Sequence, residues 1–325
     1  MRGDLLDVKD LKVVFYTYRG IIKALNGVNV WMNHGERLGI IGETGCGKSV
    51  TSLAIMNLIE QPGEIVEGDV FFEGQSMQKM SKDEIYKIRG REMSMIFQEP
   101  ISALNPVMKV GYQVAESVSI TNGIPIKDAY PEVFKILEMV GLDAKRTMKL
   151  YPHELSGGMA QRVMIAMALV VHPKLLIADE PTSALDVTIQ AQIMKLLDEL
   201  VSEMGNAVIL ITHDMGVAAE FCDKVAVMYA GNVVEYGDIF EIFDHPLHPY
   251  TKGLLMAVPK VGRSEELVGI SGSVPDLVNP PSGCRFHPRC PQAMKICEKS
   301  LPPLVEVEPN HYVACYLYSQ EGEKT

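Results

Sequence analysis

The sequence predicts an α/β fold built around a parallel sheet. Short apolar runs with the pattern of buried strands alternate with longer runs of helical periodicity, which is typical of parallel strands connected by helices. The stretch GETGCGKS at residues 42–49 places a glycine-rich turn between an apolar strand and an apolar helix. Hydrophobic residues make up 47% of the 325 positions, which is enough for a large packed core.

The first hundred residues are predicted to hold several strands and one helix. Alternating apolar and polar residues predict strands at 5–16 and 28–32, and a continuous apolar run predicts a buried strand at 38–41. Residues 48–59 predict the apolar helix that follows. The runs GDVFFEG and MSMIF predict two further strands.

The pattern of residues changes twice in the rest of the chain. Residues 99 to about 148 are mostly helical, which we interpret as an insertion into the core. KLLIAD and NAVILIT then predict buried strands on either side of a long amphipathic helix at 188–204, and KVAVMYAGNVVEYG predicts two strands joined at Ala230-Gly231. After about residue 259 the chain becomes rich in proline and weakly periodic, so we expect a small separate appendage at 259–325.

Composition excludes some classes of function. The net charge of −11 argues against nucleic-acid binding, which usually requires a basic excess. The longest apolar run, VMIAMALVV, is about half the length needed to span a bilayer. The N-terminal MRGDLLDVKD is too charged for a secretion signal. We therefore expect a soluble cytoplasmic chain that acts at a membrane only through a partner.

The GETGCGKS stretch has the spacing of a phosphate-binding P-loop. Its glycines permit backbone N–H groups to face an anion, and the next helix directs its positive N-terminus to the same point. Lys48 would reach the β- and γ-phosphates, and the Ser49 hydroxyl would bind Mg²⁺. The predicted ATP contacts are Gly42, Thr44, Gly45, Cys46, Gly47, Lys48, Ser49 and Val50.

Two further motifs are open to two interpretations each. In YPHELSGGMAQR, Ser156 and the glycines Gly157 and Gly158 precede a helical run, as either a second anion site or an ordinary N-cap. In LLIADEP, Asp179 and Glu180 end a buried strand, where ligands of doubly wound sheets bind. Asp179 would hold Mg²⁺ and Glu180 would act on the attacking water, although paired acids at strand ends are often only solvated.

The order of these motifs resembles the motif series of ABC-type ATPases. The P-loop is followed by FQEP, LSGG, ADEPTSALD and ITHD, so the resemblance covers roughly residues 5–258. It implies a P-loop ABC ATPase core at 1–258 with an antiparallel β subdomain and a helical subdomain at about 99–172. It also implies that Gln98 contacts Mg²⁺ and water, and that His213, which alone could equally be structural, holds the γ-phosphate.

The same resemblance implies a head-to-tail dimer with two sandwiched ATP molecules. Ser156, Gly157 and Gly158 would contact ATP held by the opposite subunit, and residues 183–186 would cross the interface. Two positions depart from the family pattern. The signature has Met at 159 where Gln is usual, and the expected adenine-stacking aromatic is replaced by Arg19, with Tyr18 and Tyr16 as alternatives.

The C-terminal part resembles the tail of peptide and nickel importer ATPases. The stretches HPLHPYTKGLLMAVP and GCRFHPRCPQAMKIC carry this resemblance, and GKSVTSLAIMNLI looks like the D-type subunit of dipeptide or oligopeptide importers. The resemblance implies peptide uptake powered by ATP at the cytoplasmic face of the membrane, with nickel or glutathione as alternative cargo. A non-transport ABC ATPase acting on nucleic acid is a distant alternative.

This family also implies a set of partners. They are two transmembrane permease subunits, a second related ATPase subunit and, indirectly, an extracytoplasmic substrate-binding protein. The permeases would dock on the helical insertion near residues 99–123.

Four cysteines fall within the C-terminal appendage. Their spacings, C-x₅-C, x₆ and x₁₇, lack the close pairs of common zinc sites, and leave an iron–sulfur cluster, zinc and free or disulfide-linked thiols all open. The resemblance to the importer tail implies a [4Fe–4S] cluster. Because nothing in this region of the sequence supplies a redox partner, we expect its role to be structural. The implied ligands are Cys284, Cys290, Cys297 and Cys315.

Overall fold

The computed structural model describes residues 2–183, 185–257 and 269–319. It divides into two compact units, the first formed by Met1–Lys79 with Thr212–Thr325 and the second by Met80–Ile211. The predicted boundary between the ATPase domain and the appendage, at 258/259, lies outside the described residues and stays a prediction.

The secondary structure of the described residues is as follows. The strands are β1 (Leu6–Thr17), β2 (Gly20–Met32), β3 (Arg37–Ile41), β4 (Gly63–Phe72), β5 (Gln75–Ser76), β6 (Met93–Ile96), β7 (Leu175–Asp179), β8 (Ala207–Thr212), β9 (Lys224–Tyr229), β10 (Asn232–Asp238), β11 (Val305–Glu308) and β12 (His311–Val313). The helices are α1 (Lys48–Ile55), α2 (Lys82–Ile88), α3 (Pro100–Ala103), α4 (Val110–Asn122), α5 (Ile126–Met139), α6 (Ala144–Thr147), α7 (Gly157–Leu169), α8 (Val187–Met204), α9 (Met215–Phe221), α10 (Ile239–Asp244) and α11 (Pro249–Met256).

The first unit contains an antiparallel sheet and a mixed one. The antiparallel sheet has the order β2-β1-β4-β5. In the mixed sheet β3 runs parallel to β9, and β10, β12 and β11 add to it in antiparallel fashion. Apolar side chains of β1, β2, β3 and β9, such as Leu11, Val28, Ile40 and Val227, are fully buried. This packing fixes β3, whose C-terminal end leads into the glycine-rich loop.

Two element boundaries in the first unit differ from the prediction. β2 begins at Gly20 rather than at residue 28, because a tight turn at Tyr18-Arg19 pairs it in register with β1 from Thr17 onward. In the first half of this strand Ile21 is exposed while the adjacent Ala24 and Leu25 are both buried, so apolar and polar residues do not alternate there. α1 ends at Ile55 rather than at residue 59, because Asn57 adopts φ 52°, which breaks the helix.

The second unit is built on the parallel strands β8-β7-β6 and the helices α2 to α8. Every residue of β7 is buried, as expected for a central parallel strand. The predicted helical stretch at 99–148 is confirmed as α3 to α6, and α7 is buried along much of its length. In the described parts of both units, we find no helix with the length and apolar character needed to cross a membrane.

Candidate functional site

The loop after β3 has the backbone conformation that its glycines predict. Gly42, Gly45 and Gly47 all have positive φ, at 153°, 80° and 106°. A Cβ on Gly42 would lie 2.2 Å from the carbonyl oxygen of Met228, and one on Gly47 would lie 2.8 Å from Leu25 Cδ2. Glycine is therefore required at residues 42 and 47 by close approach as well as by conformation.

Lys48 is the first residue of α1 and is buried within this loop. Its Nζ donates hydrogen bonds to the carbonyl oxygens of Gly42 at 2.8 Å and Glu43 at 3.3 Å. Gly47 is the N-cap of α1, so the positive end of the helix lies directly behind the loop. A cationic amine and a helix N-terminus beside a glycine-rich loop together form the charge pattern that binds a polyphosphate.

His213 lies beside the same loop. A cavity of about 400 Å³ is lined by Gly42, Glu43, Thr44, His213, Met215 and Leu254. The turn that carries His213 is held by Asp214, whose backbone N–H donates to Thr212 Oγ1 and whose carboxylate accepts from Gly216 and Val217 at the start of α9. The structure thus brings His213 and the P-loop to one cavity of the first unit, as the motif order predicts.

The P-loop has a support that the sequence did not indicate. Arg289 donates two hydrogen bonds to the Glu43 carboxylate, at 2.7 Å from Nη1 to Oε2 and 3.1 Å from Nη2 to Oε1. The Glu43 N–H donates to the Tyr250 hydroxyl at 2.9 Å. The arginine side chain is 6% exposed and also donates to the carbonyl oxygens of Ile270 and Ser271. The hydrogen-bonded Glu43 carboxylate raises the pKa of Arg289.

We expect Arg289→Gln to raise the KM for ATP by roughly fivefold while kcat changes less. The substitution removes a bidentate hydrogen-bonded pair that contributes about 1 kcal/mol. Without this pair the phosphate-binding loop is held less firmly in position, so ATP binding should weaken. The measurement is steady-state ATP hydrolysis at varied ATP concentration.

The matched control for this prediction is Glu36→Gln. It breaks the Glu36–Lys224 pair, 2.8 Å long, which lies at the opposite end of β3 from the P-loop. Equal effects of Glu36→Gln and Arg289→Gln on KM would mean that Arg289 has no special relation to the loop.

The second unit places two predicted catalytic side chains in contact. Asp179 ends β7 and is 6% exposed. Glu180 follows it with φ 45°, an uncommon backbone conformation. The N–H of Glu180 donates a hydrogen bond to the Ile211 carbonyl oxygen, which stabilises this conformation. Gln98 follows β6, the parallel neighbour of β7. Its Nε2 donates to Glu180 Oε2 at 3.1 Å. The amide and the carboxylate therefore share one end of the strands.

The LSGG segment forms the start of α7. The Ser156 hydroxyl accepts a hydrogen bond from the Met159 N–H at 3.3 Å, so its N-cap role is confirmed. A Cβ on Gly157 would lie 3.5 Å from Leu185 Cδ2, and one on Gly158 would lie 3.3 Å from Ile189 Cγ2. Contact with ATP in a dimer stays a prediction, as does the interface at 183–186, of which Ala184 lies outside the described residues.

The three adenine-stacking candidates lie around the β1–β2 turn. Tyr18 is 98% exposed and Tyr16 is half exposed. A hydrogen bond with Glu64 raises the pKa of Tyr16. The Arg19 guanidinium pairs with Asp276 at 3.8 Å, with both side chains exposed. The roles of these residues stay predictions.

The four cysteines of the appendage lie in partly or fully buried positions. Burial raises the pKa of Cys284 to about 12 and that of Cys315 to about 11, and it also raises the pKa of Cys290. These groups are therefore protonated thiols at neutral pH. Among the described residues, no three of the four sulfur atoms, including that of Cys297, lie within 4.8 Å of one another.

Comparisons with known proteins agree with the motifs. The ABC transporter family matches residues 25–183, and the oligopeptide/dipeptide transporter C-terminal region matches 234–297. The chain is 49% identical over 314 residues to the oligopeptide transport ATP-binding protein OppD of Escherichia coli, covering 96% of this chain and 93% of the relative. It is 46% identical over 323 residues to the dipeptide transport ATP-binding protein DppD of Lactococcus lactis, with coverages of 98% and 93%.

A solved structure supports the fold. The dimeric ATP-binding cassette MJ0796 bound to ADP and Pi superposes with a TM-score of 0.65 at 30% identity. The match covers 72% of this chain and 99% of that structure. The chain therefore has the α/β P-loop fold of ABC ATPases.

The same comparisons contradict the predicted [4Fe–4S] cluster. The matching families are those of ABC transporters and of the oligopeptide/dipeptide transporter C-terminal region, and the curated relatives are named transport ATP-binding proteins. None of these names refers to an iron–sulfur centre. The prediction that Cys284, Cys290, Cys297 and Cys315 hold such a cluster is wrong. The spacing of these cysteines left several chemistries open, and the cluster was assigned only from the resemblance of the tail, which did not carry enough information to assign a metal.

Both family matches lie within one chain, and the identities of nearly one half extend over almost its whole length and that of its relatives. The chain therefore belongs to the family of ATP-binding proteins of oligopeptide and dipeptide ABC transporters.

Proposed function

We propose that this chain hydrolyses ATP to power the uptake of di- or oligopeptides through a membrane ABC importer. The observation that carries the proposal is the similarity to peptide-transport ATP-binding proteins along both the ATPase part and the C-terminal region. The buried Lys48 amine inside the glycine-rich loop supplies the charge that a nucleoside triphosphate requires.

The residues of each unit have proposed roles in hydrolysis. The P-loop backbone and Lys48 bind the phosphates, and Arg19, Tyr18 or Tyr16 contacts adenine. Glu180 accepts a proton from the attacking water or orients it, with Gln98 holding the carboxylate and His213 contacting the γ-phosphate.

The residues proposed to hold a magnesium ion supply oxygen donors. The hydroxyl of Ser49, the amide oxygen of Gln98 and the carboxylate of Asp179 are oxygen ligands, which Mg²⁺ prefers. When bound, the ion would neutralise charge on the β- and γ-phosphates. The residues themselves orient the phosphates and the water.

The assembly proposed for this chain is a dimer with a related ATPase subunit. Ser156, Gly157 and Gly158 contact the nucleotide of the opposite subunit, where the N-terminus of α7 favours an anion. Two permease subunits dock on the helical subdomain at 99–172, near residues 99–123, so the chain is peripheral at the cytoplasmic face. The β1, β2, β4 and β5 sheet is the antiparallel subdomain, and the Cys-rich tail is the appendage of the importer family.

The proposal is tested by peptide uptake into proteoliposomes. The tagged chain is purified with its co-purifying permease and ATPase subunits, reconstituted, and supplied with the binding protein and a labelled dipeptide or oligopeptide. We expect uptake only with Mg²⁺-ATP and none with a non-hydrolysable analogue. Uptake of nickel or glutathione instead of peptide would show that one of the alternative cargoes is transported. Peptide uptake that does not depend on ATP would overturn the proposal.

A further inference from the structure

Three side chains able to bind a metal converge where the β11–β12 hairpin meets α10. They are Glu241 of α10, Glu308 at the end of β11 and His311 at the start of β12. One ligand atom from each lies within 4.8 Å of the other two, and the group contains no cysteine. All belong to the first unit, and none has a role in the ATPase site proposed above.

The histidine of this cluster is held in one orientation by a buried carboxylate. His311 Nε2 lies 2.8 Å from Glu235 Oε1, and both side chains are at most 1% exposed. Glu235 also accepts hydrogen bonds from the backbone N–H groups of Leu247 and His248, at 2.7 Å and 2.9 Å. Because a carboxylate oxygen accepts hydrogen bonds, Nε2 is assigned as the ring nitrogen that carries the proton toward Glu235.

The other ring nitrogen has no partner in the protein. His311 Nδ1 is buried and makes no hydrogen bond. A buried polar atom without a partner is destabilising, so we expect this nitrogen to bind a ligand. A histidine that donates one nitrogen to a carboxylate and offers the other is the usual arrangement at a metal site.

We propose that Glu241, Glu308 and His311 bind a divalent cation of the zinc class. Two carboxylates and a neutral imidazole carry a charge of −2, which balances such an ion. Ligands about 2.0–2.2 Å from zinc lie roughly 3.4 Å apart in a tetrahedron. The two glutamates are partly or fully exposed, so their carboxylates can rotate inward from the present separation.

Magnesium and calcium prefer oxygen ligands alone, whereas this site includes a histidine nitrogen. The ligand set therefore favours zinc over either of those ions. His245 lies one turn after Glu241 on α10, with Nδ1 3.4 Å from Glu241 Oε2, and is 72% exposed. It is the fourth ligand that the site can recruit. The bound ion would join the hairpin of the C-terminal region to α10, next to β10.

The test is metal binding by the full chain, reduced and freed of metal by chelation. Co²⁺ serves as the probe for zinc, because binding through thiolates produces a sulfur-to-cobalt charge-transfer band that nitrogen and oxygen ligands do not produce. We expect one Co²⁺ per chain without that band, displaced by Zn²⁺ but not by Mg²⁺. Zinc should also slow amide hydrogen exchange in residues 305–313.

Matched variants identify the ligands. Glu241→Gln with Glu308→Gln should weaken cobalt binding at least tenfold, whereas Glu306→Gln, two residues away on β11, should leave it unchanged. His311→Gln should abolish binding, but the two glutamate substitutions are the decisive test because they leave the buried Glu235–His311 pair intact. Absence of binding, a charge-transfer band, or binding that survives the double substitution would each overturn the proposal.

Discussion

Glu180→Gln is expected to lower the kcat of ATP hydrolysis by about 10²–10⁴-fold, the usual contribution of a general base. Glutamine keeps the shape of the side chain but cannot accept a proton from water. Glu180 is fixed at the end of β7 by its backbone bond to Ile211, and Gln98 contacts its carboxylate. The loss should therefore appear in kcat and leave nucleotide affinity nearly unchanged.

The measurement is ATPase activity of the assembled transporter, with nucleotide binding followed in parallel. Glu203→Gln is the control, because Glu203 is an exposed acid on α8 of the same unit. Turnover that persists in the Glu180 variant at the level of the control would remove Glu180 from the role of base.

Lys48→Ala is expected to weaken ATP binding by the isolated chain by about 10²-fold. Lys48 Nζ lies inside the loop, within 2.8 Å of the Gly42 carbonyl oxygen, and is the buried cation closest in sequence to the loop glycines. A hydrogen bond to a charged group contributes about 1.5–3 kcal/mol, which corresponds to this factor at its upper end.

Titration with a fluorescent ATP analogue measures this affinity directly. Lys12→Ala is the control, since Lys12 pairs with Glu67 on the exposed antiparallel sheet of the same unit. A thermal unfolding curve should show that the Lys48 variant is folded. Equal affinities of the two variants for the analogue would contradict the assignment of Lys48.

The loop and the buried strands of the core could be predicted because their chemistry restricts residue type. Only glycine fits at residues 42 and 47, and a parallel central strand such as β7 must be apolar along its whole length. The contact between Gln98 and Glu180 follows from the same logic, since neighbouring parallel strands end at one edge of the sheet.

Long-range polar pairs could not be predicted. Arg289 and Glu43 are separated by 246 positions, and nothing local to either residue indicates the other. The same is true of Glu235 and His311, 76 positions apart. The start of β2 was missed because Ile21 is exposed and Ala24 and Leu25 are both buried, which breaks the alternation of apolar and polar residues. The tail cysteines were over-interpreted because a resemblance was used to choose among chemistries that their spacing left open.

The pairing of Arg289 with Glu43 has a consequence for synthesis of the chain. The partner of Glu43 is made 246 residues after Glu43 itself, about 12–50 s later at ordinary translation rates of about 5–20 residues per second. Throughout that interval the loop lacks its arginine. A nascent chain therefore acquires its fully supported nucleotide loop only after residue 289 has been made, and a chain that terminates before residue 289 never acquires it.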